Sequence, residues 1–226
     1  PPLIRSVKQN DVVSSEVAKL YQEDDFKSLV QQVQSKPSLQ EVDLDACEAL
    51  ANRLRDADPQ VFAALIQSKD TNPVLQQALI SAASYNHVSL PEDVVEDILL
   101  DTNANTDTRI EMLFYCSDQG EKYSDRIEKV LSDEEIGFYA IREYYGKNPK
   151  AATAFADNTL QDYNGTYSQQ LQGALWVKTQ TLTASSSEKE RQEFVSFCDR
   201  LIEDNAENQT TKKLILNYLG TIDSWE

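Results

Sequence analysis

The residues able to do chemistry in this chain are few and dispersed. A single histidine, His87, lies in the segment Tyr85-Asn86-His87-Val88, and no Gly-x-Ser-x-Gly elbow accompanies it. A serine or cysteine nucleophile relies on a positioned base, most often histidine. One isolated histidine therefore reads as a loop residue. Cys47, Cys116 and Cys198 stand far apart, which fits neither a disulfide framework nor a zinc knuckle. Each sits on an apolar helix face, where a free thiol acts as a small hydrophobe. No glycine pattern able to cradle phosphate is present. With 38 acidic residues, close carboxylate pairs are guaranteed and none is distinctive. We assign no catalytic residue and no cofactor.

One segment resembles the opening of a calcium loop. Asp101, Asn103, Asn105 and Asp107 place oxygen side chains at alternate positions. An EF-hand needs glycine at position six and a bidentate glutamate at position twelve; Thr106 and Met112 occupy those places. These four residues stay as candidate calcium ligands. The competing reading is an interhelical loop in which Thr106 or Asp107 caps the next helix.

Charge and aromatics point toward binding rather than catalysis. The formal net charge is −17 and the pI is about 4.4. Such a field repels phosphate backbones and anionic lipid surfaces, so we expect no nucleic-acid partner and no membrane insertion. A protein or peptide partner of basic character fits better. Tyr144 and Tyr145 share a helix, Tyr163 lies beside Asn164-Gly165, and Trp176 stands off the stripe of Leu171, Ala174 and Leu175. Tyr and Trp combine large area with a polar handle and are frequent binding anchors. These four are the candidate partner-binding residues.

The elements that must carry these side chains are helices. Phe194, Phe197, Cys198, Leu201 and Ile202 fall at i, i+3, i+4, i+7 and i+8, one face of a helix. Similar stripes recur along the chain, and no stretch alternates as a half-buried strand does. Residues 1–10 read as an extended lead-in, with the first helix marked by Val13, Val17, Leu20 and Tyr21. Asp58-Pro59, Asn72-Pro73 and Asn148-Pro149 each set a capping side chain before a first-turn proline. Gly146 is expected to end one helix, Asn164-Gly165 to break another, and Ser187 to cap the helix after the serine run. Trp225 is expected to cover the open edge of the last helix.

The pairs Ala78-Leu79, Met112-Leu113, Ala140-Ile141, Ala174-Leu175 and Ile215-Leu216 recur in equivalent places at irregular intervals, with a second amphipathic helix between them. That is the mark of a helix-pair repeat. With the segments NPVLQQALISAAS, TDTRIEMLFYCSD, EEIGFYAIREYYG and YSQQLQGALWVKT, the chain resembles the HEAT-like α-solenoids over about residues 59–226. The resemblance implies an all-α, irregular HEAT-like right-handed solenoid of antiparallel helix pairs. It places the repeats at 58–226 and leaves 1–57 as an N-terminal helical segment, either a capping part of the same stack or a separate cap.

The expected function is a non-enzymatic interaction scaffold that presents an acidic helical surface to a protein or peptide. The alternatives are an enzyme or small-ligand binder with a carboxylate-lined interhelical pocket, and a DNA-mimicking inhibitor of a basic protein. The opening Pro1-Pro2 and the absence of an apolar run of about 20 residues lead us to expect a processed chain without a membrane span. They favour export, periplasmic or secreted, over a cytoplasmic location.

Overall fold

The computed structural model describes the backbone of residues 2–183 and 185–223, and the side chains of 11–183 and 185–221. Trp225 and the side chain of Ile222 lie outside the described residues. Thirteen α-helices, one 3-10 turn and no strand are found among those described. The protein is all-α, and no described helix is long and apolar enough to cross a membrane.

The chain divides into two compact units, Pro1–Tyr123 and Ser124–Glu226. The first holds α1 (Pro2–Gln22), α2 (Asp24–Gln34), a 3-10 turn (Leu39–Glu41), α3 (Leu44–Arg53), α4 (Pro59–Gln67), α5 (Pro73–Tyr85), α6 (Glu92–Leu99) and α7 (Thr106–Asp118). Here α1 packs on α4, α2 on α3 and α5, and α5 on α7. Phe26, Leu50, Phe62, Leu65, Leu75 and Leu79 are nearly or wholly sealed from solvent. Burying side chains of this size contributes about 1.5–3 kcal/mol each.

The second unit holds α8 (Ser124–Lys129), α9 (Gly137–Lys147), α10 (Pro149–Gln161), α11 (Gln169–Thr181), α12 (Glu188–Asp204) and α13 (Gln209–Asp223). Its core joins Leu171 and Leu175 to Phe194, Cys198, Leu201, Ile215 and Tyr218. Helices α9 and α11 lie close together at Gly173, where a Cβ would stand 2.5 Å from Ile141 Cδ1. Only glycine fits that contact without a shift of the isoleucine.

The start signals act as capping chemistry requires. Asp58 accepts the Gln60 N–H at 2.8 Å, Asn72 that of Leu75 at 3.0 Å, Asn148 that of Ala151 at 3.2 Å and Ser187 that of Glu190 at 3.1 Å. Each removes an orphan donor from a helix start. Gly165 takes the left-handed conformation, with φ of 98°.

Four expectations need correction. Residues 2–10 are not an extended lead-in: α1 begins at Pro2, since a proline fits the first turn and no Gly or Pro follows it before Gln22. Gly146 does not end α9. The helix runs through Lys147 and stops at Asn148 (φ −141°), because the following Pro149 drives the residue before it out of the helical region. The cap of α7 is Asn105, not Thr106 or Asp107; its amide oxygen reaches the Thr108 N–H at 3.1 Å. Finally, Ala78-Leu79, Met112-Leu113, Ala140-Ile141 and Ala174-Leu175 are all buried, but Leu216 is 54% exposed. In α13 the inward partner of Ile215 is Tyr218, one turn on.

His87 has a conformational role. It is left-handed, with φ of 55°. Its N–H donates to Ser84 O at 3.1 Å and the Val88 N–H to Ala83 O at 2.8 Å, the paired bonds of a Schellman cap on α5. A non-glycine residue there costs about 1–2 kcal/mol, and glycine gives back about 0.5–1 in the unfolded chain. His87→Gly should therefore raise stability by about 0.5–1 kcal/mol in chemical denaturation; a loss of stability would contradict the cap. Asn72 also donates through Nδ2 to Gln34 O at 3.0 Å. Asn72→Ala should cost about 2 kcal/mol, cap and tie together. Asn72→Asp, which keeps the cap acceptor and loses the donor, should cost less.

Candidate functional site

The first unit holds an apolar groove of about 430 Å³. Helix α3 lines it with Leu44, Cys47, Glu48 and Ala51, and α5 with Ala78, Ser81, Ala82 and Tyr85. Each set falls at i, i+3, i+4 and i+7, so each helix gives one face over two turns. Leu39, Gln40 and Val42, from the 3-10 turn and the strap after it, close the end. Ala46 and Leu50 on the other side of α3, and Leu54 just past its end, are committed to the core.

The floor is made of small residues and the rim of large ones. Ala51, Ala78 and Ala82 are buried, whereas Leu44 is 80% and Tyr85 65% exposed. Four large hydrophobics among the described residues are this open, Val12, Leu44, Tyr85 and Leu216. Single exposed apolar residues are ordinary, but two of these four share one groove. The volume falls in the range of sites that hold a ligand or an anchor side chain.

The electrostatics of the groove are one-sided. Residues 37–52 carry Glu41, Asp43, Asp45 and Glu48 and no basic side chain, and α5 has no charged residue. Glu41, Asp43, Asp45 and Glu48 are exposed. Cys47 is half-buried in the wall, and burial pushes its thiol pKa above the usual value. It is poorly suited to act as a nucleophile, which requires the thiolate.

The second unit offers a polar cleft of about 520 Å³ between α10, α11 and α12. Asp157, Glu190 and Glu193 line it, together with Lys178. Lys178 Nζ lies 2.9 Å from Asp157 Oδ1 and partly neutralises this set.

The four aromatic candidates do not form one surface. Tyr145 and Trp176 meet edge to face, with centroids 5.5 Å apart, and the Arg142 guanidinium lies over Trp176 at 5.2 Å and over Phe138 at 5.4 Å. Tyr144 is elsewhere engaged, its hydroxyl donating to Glu128 Oε1 at 3.2 Å. Tyr163 packs on Phe197, sits under Arg200 and donates to Asp204 Oδ2 at 2.7 Å. Burial, then that bond to a carboxylate, pushes its pKa up to about 12. These rings are half-buried and engaged with neighbours in their own unit.

In the calcium-like loop, Asp101 Oδ1 accepts the Asn103 N–H at 2.9 Å and Asn105 Oδ1 caps α7. Two of the four oxygen side chains thus fold the loop itself. Among the described residues no three His, Cys, Asp or Glu side chains are grouped to hold a metal ion.

Sequence reasoning missed the groove, although α5 carried a signal: thirteen residues without a charge, among them Ser81 and Tyr85 off the main stripe. Compared with known proteins, the chain matches no family model, no curated protein and no solved structure. Its class therefore rests on the fold, an all-helical protein with thirteen α-helices among the described residues.

The thiols provide a direct check of the groove. Cys116 and Cys198 are buried and Cys47 is half-open. A disulfide reagent should therefore label Cys47 in the native protein and the other two only on unfolding. Cys47 should react more slowly than a free thiol at neutral pH, since its raised pKa leaves less thiolate. Equal labelling of all three in the native state would contradict this geometry.

Proposed function

We propose that this chain is a non-enzymatic interaction scaffold, with an acidic helical surface that receives a protein or peptide of basic character. The observation that carries this reading is the groove of the first unit, where an uncovered apolar trough lies beside Glu41, Asp43, Asp45 and Glu48. Apolar anchors supply affinity in such a site, and the charge supplies steering and choice of partner.

An irregular HEAT-like arrangement of helix pairs is part of the proposal. What supports it is the packing of alternate helices within each unit: α5 on α7 in the first, and α9 on α11 and α11 on α13 in the second. The intervening helices also pack on these, as α6 does on α7 and α10 on α11. A layered stack of this kind presents helix faces and grooves rather than a closed pocket.

Selection from a random peptide display library on the whole chain tests the reading. Enriched peptides should share apolar anchors and a net positive charge, and Leu44→Glu should weaken them about tenfold or more. Enrichment of acidic peptides, or of none, would overturn the scaffold reading.

A further inference from the structure

We infer that the groove between α3 and α5 is built to receive two turns of a cationic amphipathic helix from a partner protein, its aliphatic face inserted and its Lys or Arg residues set against the acidic shoulder. The inference rests on the groove being a docking site and names what docks there.

The geometry of the walls carries the argument. Leu44, Cys47, Glu48 and Ala51 repeat the spacing of Ala78, Ser81, Ala82 and Tyr85, so both walls run for eight residues, or seven rises. At 1.5 Å per residue that is about 10 Å, two helical turns. A helix that enters such a trough presents side chains with the same spacing, ridge into groove. The small floor at Ala51, Ala78 and Ala82 allows a close approach, and Leu44 and Tyr85 stand as open walls beside it. An extended peptide has less to hold. Among the described residues no strand offers an edge for main-chain pairing, and the main-chain groups of α3 and α5 are bonded within their helices.

Charge selects the sign of the partner. The groove-forming segment 37–52 and α5 together carry four acidic residues and no basic residue; Lys36 and Arg53 flank the segment. An acidic helix would meet like charge along the whole shoulder. A neutral one would leave the shoulder unpaired and bind without salt dependence.

The test uses the full chain and a synthetic amphipathic peptide of about 18 residues, long enough to be helical, with Leu at i, i+3, i+4 and i+7 and flanking Lys. Two controls share its length: one with a central proline, one with Gln in place of Lys. Binding is read by titration calorimetry and by protection of Cys47 from labelling. The Lys peptide should slow Cys47 labelling about tenfold at saturation, and its affinity should fall as salt is raised. Leu44→Asp should weaken it at least about tenfold. Ser81→Trp, which fills the trough from an exposed position, should block it without relying on the first variant. Both variants are checked by their thermal melts.

Equal protection by the proline peptide would overturn the helical form of the partner while leaving the scaffold reading intact. Equal binding by the Gln peptide would overturn the cationic requirement. Protection by lauric acid with none by the Lys peptide would make the groove an apolar-ligand cavity and overturn the inference. If no probe protects Cys47 while library peptides still bind the chain and lose affinity with Leu44→Glu, the inference fails and the scaffold reading stands.

Discussion

Asn72 holds together the part of the molecule on which the groove depends. Its amide oxygen caps α5, its Nδ2 donates to Gln34 O at the end of α2, and its own N–H donates to Gln34 Oε1 at 2.8 Å. One residue thus fixes the start of α5 and the point at which the chain leaves α2. The strap of residues 39–42 that closes the groove follows directly from that point. At the other end of α5, Asn86 Nδ2 donates to Ala51 O at 2.8 Å and ties α5 to α3. Helix α5 is therefore positioned at both ends by directed bonds. Apolar packing alone, which is non-directional, leaves such a helix free to slide or roll. A groove lined by alanines needs this, because small side chains interlock weakly.

The same device recurs where the connections are irregular. Tyr115 of α7 accepts the Leu90 N–H at 2.8 Å and donates to Val88 O at 2.8 Å, stapling the segment between α5 and α6. Arg109 is almost wholly buried and donates through Nε and Nη2 to Leu99 O, which satisfies the C-terminal end of α6. A buried guanidinium is costly unless its donors are met, so its presence ties α7 to the end of α6 specifically. Side-chain bonds of this kind let the intervals between helices vary without leaving main-chain groups unsatisfied. That accounts for connections of uneven length between these helices.

Much of the helical layout was legible in the sequence because capping chemistry is local. An Asn or Asp before a proline needs no tertiary partner to start a helix, and Asn72, Asp58 and Asn148 all act that way. Gly146 misled because a proline three residues on decides the helix end more strongly than a glycine permits one. Leu216 misled because periodicity shows which residues are apolar, not which side of a helix finds a neighbour. The groove was hidden for the same reason. Leu44 opens α3 and Tyr85 closes α5, and no periodicity in the sequence shows that both stand open to solvent. The aromatic candidates were visible as residues, but their engagement with Arg142, Arg200 and Asp204 is a tertiary fact.

Net charge and local charge answer different questions here. The total of −17 is spread over the whole chain, and a Debye length of about 8 Å at physiological salt limits its reach. What distinguishes the groove is that Glu48 lines it beside an apolar floor, while Glu41, Asp43 and Asp45 stand in the same segment with no basic side chain. In the second unit the polar cleft differs, since Lys178 already pairs with Asp157 and Lys189 lies 3.9 Å from Glu193. A cationic partner there competes with lysines in place. At the groove of the first unit no ion pair of Glu41, Asp43, Asp45 or Glu48 is formed among the described residues, and the contribution of such exposed carboxylates to binding a cation is modest singly and cumulative over several.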